Sequence, residues 1–455
     1  MTDILQLKDW AVLGIEEQQD QTIISAEYAK QPEFCLLCGV VGELYKHGPR
    51  SVTILDSPIR GTPTRIVAKV QRYKCRACGG TFPQPLSGVD AVRRMTERCL
   101  RYIEQQCLRD TFQHLSEHLG CDEKTIRNIA ADYIAVTDGE YRPYLPEWLG
   151  LDENHLNKIF RAIITDVENR RVVDMLSGRN KPMVSRWFSQ FRDRSKVRVV
   201  TIDMWQAYRD VSREMLPNAA VVIDKFHVVK MANSAIDKVR IRVQKGKDKK
   251  MRLSWKQSKH QLLTREHNLS DKQRFNLSGW RNNEPEIDAA YNIKEALFGI
   301  YDLPKAKAIA AFDAFAATIP ASMTKEFHEL TRAMQNWRTE ILNYFDFPTT
   351  NAYTESMNGI AKMINRAGRG YSFEVIRSRL LFANSPTNKR TLRARRAASE
   401  AALTRCSNCT GLYPDSEIFT VDHVVPYAGE DVSGPDMVFH ICKICHARFT
   451  AFPEV

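Results

Sequence analysis

Four Cys-x-x-Cys pairs constrain this chain more than any other feature of its sequence. They take up eight of the eleven cysteines, as Cys35/Cys38, Cys75/Cys78, Cys406/Cys409 and Cys442/Cys445. Two thiolates on one tight turn can share a tetrahedral ion, and a second such turn completes its ligands, so the spacing indicates structural Zn²⁺ at two clusters. The sequence shows no secretory signal and no apolar stretch near the roughly 20 residues that span a bilayer. We therefore expect a cytoplasmic protein with reduced cysteines and no membrane contact.

Residues 1–85 contain the first two cysteine pairs and predict an N-terminal zinc ribbon. The pairs are separated by basic and β-prone segments such as SVTILDSP and TRIVAKVQRYKC. A segment this short cannot supply a large core, and a bound zinc ion substitutes for one.

Residues 86–145 predict a helix-turn-helix domain that binds DNA. Apolar residues recur every three to four positions, and Gly120 separates two such segments in TFQHLSEHLGCDEKTIRNIAADYI. The second helix of such a motif enters the major groove, which makes Thr125 and Arg127 candidates for DNA contact. An ordinary helical hairpin is the alternative. A net charge of +12 agrees with a polyanionic partner without requiring one.

Residues 146–244 change to the periodicity of strands. The segment WLGLDEN leads into a hairpin, KIFRAIITDVENRRVVDMLSG, and then into helices that alternate with the buried strands VRVVTID and AAVVID. This order predicts an α/β fold, a ribonuclease-H-like mixed sheet. Residues 245–345 predict an α-helical insertion, residues 346–388 the last helices of the core, and residues 389–455 a basic linker with a second zinc module.

Three acids on separate elements of this fold predict a site for divalent metal. Asp203 ends the most apolar strand, where a carboxylate is costly unless it meets a cation. Asp152 lies on the first strand, beside the competing Glu153, and Glu355 lies on a late helix. Each acid has the alternative of capping a turn or helix, or of lying in solvent. Two Mg²⁺ or Mn²⁺ ions held by such acids are suited to phosphoryl transfer at a DNA backbone.

The helix around Glu355 has two contrasting faces. The apolar stripe, expected to be buried, consists of Tyr353, Met357, Ile360 and Ile364. The opposite stripe is polar and consists of Asn351, Glu355, Asn358 and Lys362. Amide and ammonium donors beside a carboxylate suit a metal next to a phosphate backbone, so we predict DNA contacts by Asn358, Lys362 and Arg366.

At these residues the chain resembles the ISL3 family of bacterial insertion-sequence transposases. The resemblance rests on GLDENH, TIDMWQAYRDVSREMLPNAAVVIDKFHVV and TNAYTESMNGIAKMINRAGRGY, and it covers roughly residues 30–385. It implies a DDE transposase with a ribonuclease-H-like core, whose acids fall on Asp152, Asp203 and Glu355. The implied reaction is metal-assisted hydrolysis at the ends of the element, after which the freed 3′-hydroxyl attacks target DNA.

The same resemblance adds three candidate residues and the partners. Asp224 and His227 in DKFH look like a C/D-x-x-H element of related transposases, in which the His lies near the scissile phosphate; helix capping is the alternative for Asp224. Trp280 is a candidate for stacking on a flipped base, against an ordinary packing role. The zinc ribbon and helix-turn-helix would bind the terminal inverted repeats, and a homodimer is expected because two ends must be paired.

The C-terminal module resembles an HNH nuclease domain in the order CSNC, VDHVVP, CKICH. That resemblance would make His423 a general base and His446 a metal ligand. Met437 stands where the HNH family usually has an Asn, which favours a zinc-held scaffold or DNA-binding remnant. Two alternatives to a DDE transposase stay open: an inactive DNA-binding regulator, and a nuclease acting through this module.

Overall fold

The computed structural model describes residues 5–383 and the backbone of four short strands between residues 403 and 442. The described chain forms two compact units, one reaching to Glu140 and the other comprising Tyr141–Leu381. Within the described residues, no helix has the length and apolar character needed to cross a membrane.

The first unit is built on a seven-stranded sheet in the order β1-β2-β4-β3-β7-β6, with β5 paired to β4. Its core includes Ile54 together with Ile24 and Ile66, and the last two alternate with half-buried positions as expected for strands with one buried face. The sequence pattern missed the first two strands. The strands are β1 (Trp10–Glu17), β2 (Thr22–Tyr28), β3 (Leu44–Ile59), β4 (Thr62–Cys75), β5 (Thr81–Pro83), β6 (Val89–Asp90) and β7 (Met95–Thr96).

Three helices follow this sheet: α1 (Glu97–Gln106), α2 (Phe112–Leu119) and α3 (Glu123–Glu140). Thr96 caps α1 and Thr111 caps α2, each accepting a hydrogen bond from a backbone N–H of the first turn. Gly120 ends α2 in the left-handed conformation, with φ of 65°, and this allows the chain to turn directly into α3.

The second unit is built on a five-stranded mixed sheet in the order β10-β9-β8-β11-β12. The pairs β8–β9 and β9–β10 are antiparallel, and β8–β11 and β11–β12 are parallel. A mixed α/β architecture is therefore confirmed. The elements are β8 (Trp148–Leu156), β9 (Ile159–Asp166), β10 (Arg171–Met175), α4 (Lys181–Ser189), β11 (Val199–Ile202), α5 (Gln206–Met215), β12 (Ala220–Ile223) and α6 (Lys225–Val243).

Residues 244–345 are helical throughout, apart from short connections. They pack against α6, and their apolar residues share one core with the sheet. Lys294 is fully buried there, donates to the carbonyl oxygens of Leu262 and Thr264, and lies over the Tyr291 ring. The helices are α7 (Lys249–Ser258), α8 (His260–Leu263), α9 (Asp271–Asn283), α10 (Pro285–Ile300), α11 (Lys305–Phe315), α12 (Thr324–Asn336) and α13 (Arg338–Leu342).

The chain then returns to the sheet with α14 (Ala352–Ala367), which packs on β8 and β9, and continues into α15 (Phe373–Phe382). Four later strands form two antiparallel pairs, β13 (Leu403–Arg405) with β14 (Leu412–Pro414), and β15 (Ile418–Val421) with β16 (Phe439–Cys442). The predicted ligands Cys406, Cys409 and Cys445, and the histidines His423 and His446, lie outside the described residues. Only the backbone is described for Cys442, so the second zinc cluster stays a prediction.

Candidate functional site

The first four predicted zinc ligands come together in the first unit. Their sulfur atoms all lie within 4.8 Å of one another, with Cys35 Sγ 3.8 Å from Cys78 Sγ and Cys38 Sγ 3.7 Å from Cys75 Sγ. A tetrahedron with Zn–S bonds of about 2.3 Å places sulfurs about 3.8 Å apart. The cluster therefore has the dimensions of a Cys₄ zinc site.

Each cysteine pair forms the same tight turn, and the local sequence explains why. A glycine follows each pair in a left-handed conformation, Gly39 with φ of 80° and Gly79 with φ of 69°. The N–H of each glycine donates to the carbonyl of the first cysteine of its pair, at 2.8 Å for Cys35 and 3.0 Å for Cys75. Backbone N–H groups lower the pKa of Cys75 to about 7, which favours its thiolate, whereas burial raises the pKa values of Cys35 and Cys38.

The two predicted DNA-contacting residues of α3 lie at its N-terminal end. Arg127 is exposed and pairs with Glu123 at 2.6 Å, and Thr125 is half-buried. The opposite face of α3 is buried through Ile126, Ile129 and Ala130. A helix-turn-helix with one buried face leaves the other face of α3 open to a partner, and the DNA contacts themselves stay a prediction.

Asp152 lies in the middle of the second unit's sheet, on β8, and is nearly fully buried. One carboxylate oxygen accepts from the backbone N–H of Glu153 at 2.8 Å, and the other accepts from Asn358 Nδ2 at 2.9 Å. Burial raises the pKa of Asp152, while His227 opposes this shift. Adjacent strand residues point to opposite faces, and Glu153 forms an ion pair with Arg179 instead.

Asp203 follows β11, the strand next to β8. Burial raises its pKa to about 6, and the nearby Asp152 carboxylate adds to that rise. Its Oδ1 is buried with no hydrogen-bond partner among the described residues. The helix that follows has Trp205 at its N-cap, with no side-chain cap from that residue. The backbone N–H of Trp205 interacts with the Asp203 carboxylate and lowers its pKa, so capping stays open as a second role for Asp203.

Glu355 lies in the first turn of α14, facing His227 at the start of α6. The distance from His227 Nε2 to Glu355 Oε1 is 3.5 Å. Burial raises the pKa of Glu355, and His227 partly offsets this shift. His227 also lowers the pKa values of Asp152 and Asp203, so one imidazole lies within electrostatic reach of all three acids.

Asp224 holds two helices by their N-termini. Its Oδ1 accepts from Phe226 N at 3.0 Å as the N-cap of α6, and its Oδ2 accepts from Asn351 N at 2.8 Å at the start of α14. Both carboxylate oxygens are therefore engaged by backbone N–H groups. This geometry supports the capping alternative for Asp224 and gives it a role in placing Glu355.

The predicted burial of the two faces of α14 is wrong. Asn351, Thr354, Asn358 and Ala361 face the sheet and are buried, whereas the stripe of Tyr353, Met357, Ile360 and Ile364 is only half-buried. The reason is that the sheet face under α14 is itself polar. Asn358, predicted to contact DNA, is instead a buried partner of Asp152. Lys362 and Arg366 are exposed, as a DNA contact requires.

Gly150 of β8 allows α14 to approach the sheet closely. A Cβ added there would lie 2.4 Å from Thr165 Oγ1, 2.5 Å from Thr354 Oγ1 and 2.9 Å from Asn351 Oδ1. These groups bond across the interface, with 2.7 Å between the Thr165 and Thr354 hydroxyls, and Thr201 donates to Asn351 at 3.3 Å. A side chain at position 150 would therefore move the helix that carries Glu355.

The carboxylate site fits a hard divalent cation. Its donors are carboxylate oxygens and one imidazole, which suit Mg²⁺ or Mn²⁺ better than a thiophilic metal. Asp203 Oδ1 and His227 Nε2 are both buried with no hydrogen-bond partner in the described part of the chain. Within that part, only the four cysteines bring three or more candidate ligand atoms within 4.8 Å of one another. The acids are therefore more widely spaced than the ligands of a single closed ion site.

Trp280 and Arg179 both lie in the second unit. Trp280, the candidate for base stacking, is half-buried and stacks on the buried Trp255 at 4.7 Å between centroids, which supports its packing alternative. Arg179, which the sequence interpretation missed, lies in the connection between β10 and α4. It belongs to no periodic pattern, and only its neighbour Gly178 marks a turn.

Comparison with known protein families gives three matches along the chain. A family model described as a transposase, the DDE domain of the ISL3 group, matches residues 149–380. A model described as the zinc-finger of transposase IS204/IS1001/IS1096/IS1165 matches residues 31–78. A third, the helix-turn-helix domain of transposase family ISL3, matches residues 84–134.

Two curated relatives carry corresponding names. The transposase for insertion sequence element IS1001 of Bordetella parapertussis is 24% identical over 381 residues, which is 80% of this chain and 93% of the relative. The transposase for insertion sequence element IS1557 of Mycobacterium tuberculosis is 21% identical over 252 residues, which is 49% of this chain and 56% of the relative.

Proposed function

The chain belongs to the ISL3 family of transposases, and from this premise we propose that it cuts DNA at the ends of an insertion sequence and joins them to target DNA. The single observation that carries the proposal is the meeting of Asp152, Asp203 and Glu355 around His227. The sheet order, with three antiparallel strands leading into two parallel ones, supports a ribonuclease-H-like core.

In this proposal Asp152, Asp203 and Glu355 hold Mg²⁺ or Mn²⁺. The bound ions would activate a water and stabilise the leaving oxygen at the scissile phosphate. The water oxygen forms a bond to phosphorus while the bond from phosphorus to the 3′-oxygen breaks, and the 3′-oxygen leaves as a hydroxyl after taking up a proton. In the second step that 3′-hydroxyl replaces water as the nucleophile. Its oxygen bonds to a phosphorus of target DNA while the bond from that phosphorus to a target 3′-oxygen breaks, and the target 3′-oxygen leaves as a hydroxyl after taking up a proton.

The remaining polar residues hold this arrangement. Asn358 fixes the Asp152 carboxylate, and Asp224 anchors the first turn of α14, so that both act by positioning acids on different elements. His227, 3.5 Å from Glu355, is suited to hold or release a proton near the phosphate. The zinc ribbon and α3, through Thr125 and Arg127, would bind the inverted repeats, with Lys362, Arg366 and Trp280 as further candidates.

The experiment compares wild type with Asp203→Asn on labelled inverted-repeat DNA in Mg²⁺ and in Mn²⁺. Wild type should cleave and join, and the variant should bind without cutting. The matched control is Asp271→Asn, because Asp271 is fully exposed on α9, and it should retain cleavage. A chelator should stop cleavage by wild type.

The same assay separates the two remaining alternatives. Cleavage that survives Asp203→Asn and disappears with His423→Ala would assign the chemistry to the C-terminal module. Binding without cleavage under every condition would identify a DNA-binding regulator. A homodimer on paired ends is part of the proposal, and native mass spectrometry of the protein with end DNA should show two chains.

A further inference from the structure

Arg179 is held beside the carboxylate site by two aromatic rings. Its guanidinium carbon lies 4.0 Å from the centroid of Phe160 and 4.0 Å from the centroid of Trp205. Phe160 belongs to β9, and Trp205 is the second residue after Asp203. Two rings this close to the guanidinium restrict how it can turn, so its N–H donors have few orientations open to them.

The edge of the same guanidinium pairs with Glu153, the residue next to Asp152 on β8. About a quarter of each side chain remains exposed, 27% for Arg179 and 27% for Glu153. The positive charge also reaches one of the three acids, since it lowers the pKa of Asp203. Arg179 is thus a partly exposed cation, held by two rings and an ion pair, and close enough to Asp203 for its charge to act on that carboxylate.

We infer that Arg179 binds a non-bridging oxygen of the DNA phosphate that is cleaved at the carboxylate site. This inference rests on the proposed function. A guanidinium presents a fork of donors that matches phosphate oxygens, and a stacked guanidinium loses little freedom when it binds. Glu153 holds the fork in place in the absence of DNA, and the phosphate then takes over some or all of its donors.

The contact between Arg179 and the phosphate would speed cleavage because negative charge develops on the oxygen that it binds. As the water oxygen bonds to phosphorus and the bond to the 3′-oxygen breaks, negative charge is spread over the non-bridging oxygens. Donors already aimed at that charge need no reorganisation during the reaction. Arg179 forms no bond to phosphorus and transfers no proton, so it acts as a catalytic residue by electrostatic stabilisation alone.

The competing explanation is a latch, in which the Arg179–Glu153 pair ties the connection after β10 to β8. If the pair is only a latch, Glu153→Gln should slow cleavage as much as Arg179→Ala does. If Arg179 binds the phosphate, Arg179→Ala should slow cleavage far more, because Phe160 and Trp205 still hold the guanidinium after Glu153→Gln.

The test measures single-turnover cleavage of labelled end DNA by the full-length protein at saturating concentration in Mn²⁺. Arg179→Ala and Arg179→Lys should cleave on the order of 100-fold more slowly, as when one oriented donor is removed from a transition state. Their Kd for end DNA should change less than about threefold. Glu153→Gln should lose less than about tenfold, and Arg186→Ala, an exposed arginine of α4, should match wild type.

A sulfur substitution at the scissile phosphate provides a readout that a latch would not move. One of the two phosphorothioate diastereomers should slow wild type in Mn²⁺, which compensates for sulfur at metal-bound positions but not at an arginine. Arg179→Ala should lose this discrimination, because the affected contact is already absent. Retained discrimination in Arg179→Ala, or equal losses in Arg179→Ala and Glu153→Gln, would overturn the inference.

These measurements distinguish a failure of the inference about Arg179 from a failure of the proposed function. If wild type fails to cleave, the proposed function itself fails. If wild type cleaves, Asp203→Asn does not, and Arg179→Ala behaves like Arg186→Ala, then the function stands and the inference is wrong. Equal thermal melting of Arg179→Ala and wild type confirms that a slower rate does not reflect unfolding.

Discussion

The cysteine site of the first unit and the carboxylate site of the second are both suited to cations, but they are assembled in opposite ways. Each cysteine turn is complete within five residues, and only two turns have to meet. The carboxylates come from β8, the end of β11 and α14, and the bond from Asn358 to Asp152 spans 206 positions. A metal ion can complete the first site by joining two turns that are each formed locally. The second site depends on how α14 packs on the sheet.

The largest effect is expected at the cysteine site. Cys75→Ser removes one of the four thiolates. In small zinc domains the apparent free energy of zinc binding is about 10–16 kcal/mol, and this contribution to folding would be lost with the metal. We expect one zinc fewer per chain and loss of hydrogen-exchange protection around Tyr73 and Phe82, with the second unit's sheet unchanged. Cys121→Ser, outside the cluster, should keep the zinc. If both variants keep it, the cluster is not a metal site.

The next effect is expected where α14 meets the sheet. Gly150→Ala places a methyl group within 2.5 Å of the Thr165 and Thr354 hydroxyls, so we expect destabilisation of about 3 kcal/mol by overpacking. Cleavage should fall on the order of 100-fold, because a shift of about 1 Å in Glu355 is enough. Gly359→Ala, on the same helix with open space around it, should be neutral or stabilising. Similar melting and cleavage of the two variants would contradict the close approach.

A smaller effect is expected from the charge of Asp203. Its pKa is about 6 in the folded chain against an ordinary value of 3.8, so ionisation is disfavoured by folding. Stability without divalent metal should fall as pH rises from about 4 through about 6. At pH 7.5 the free energy of unfolding of Asp203→Asn should therefore exceed that of wild type by on the order of 2 kcal/mol, and the variant should melt at a higher temperature.

The size of this gap depends on pH and on metal. The gap between Asp203→Asn and wild type should close at about pH 3, where the carboxyl is protonated in both the folded and the unfolded chain. Adding Mn²⁺ at pH 7.5 should narrow it as well. A gap that is independent of pH would show that burial does not govern this carboxylate.

The smallest effect is expected at one hydrogen bond of the helix–sheet contact. Thr354→Val leaves the buried Thr165 hydroxyl without its partner at 2.7 Å, at a cost of about 1–2 kcal/mol. Thr354→Ser keeps the hydroxyl and should lie close to wild type in urea denaturation. Equal midpoints for valine and serine would show that shape, not hydrogen bonding, holds α14.

The sequence predicts what is local in this structure. The CxxCG turns carry their own geometry, because a cysteine spacing and a glycine with positive φ determine each turn. The position of Asp203 after a buried strand was predictable, because the strand is mostly apolar and the carboxylate follows it directly. The break at Gly120 was identifiable for a similar reason, since a glycine between two amphipathic segments marks a helix end.

What the sequence missed depends on contacts between distant segments. The burial of Asn358 could not be read from helical periodicity, because it follows from the polar face of the sheet formed by Asp152, Thr165 and Thr201. Arg179 lies in a connection, and its significance appears only from its contacts with the rings of Phe160 and Trp205. Strands β1 and β2 were missed because neither segment, WAVLGIEE nor TIISAEY, shows the strict alternation of apolar and polar residues that marks a strand with one buried face.

The two residues of the Asn358–Asp152 hydrogen bond leave the ribosome at different times, because 206 positions separate them. At synthesis rates of about 5–20 residues per second, Asn358 follows Asp152 by roughly 10–40 s. The helix-turn-helix is complete by Glu140, long before Glu355 is translated. A nascent chain therefore completes its predicted DNA-binding unit well before the proposed carboxylate site, and a chain that terminates before α14 lacks Glu355.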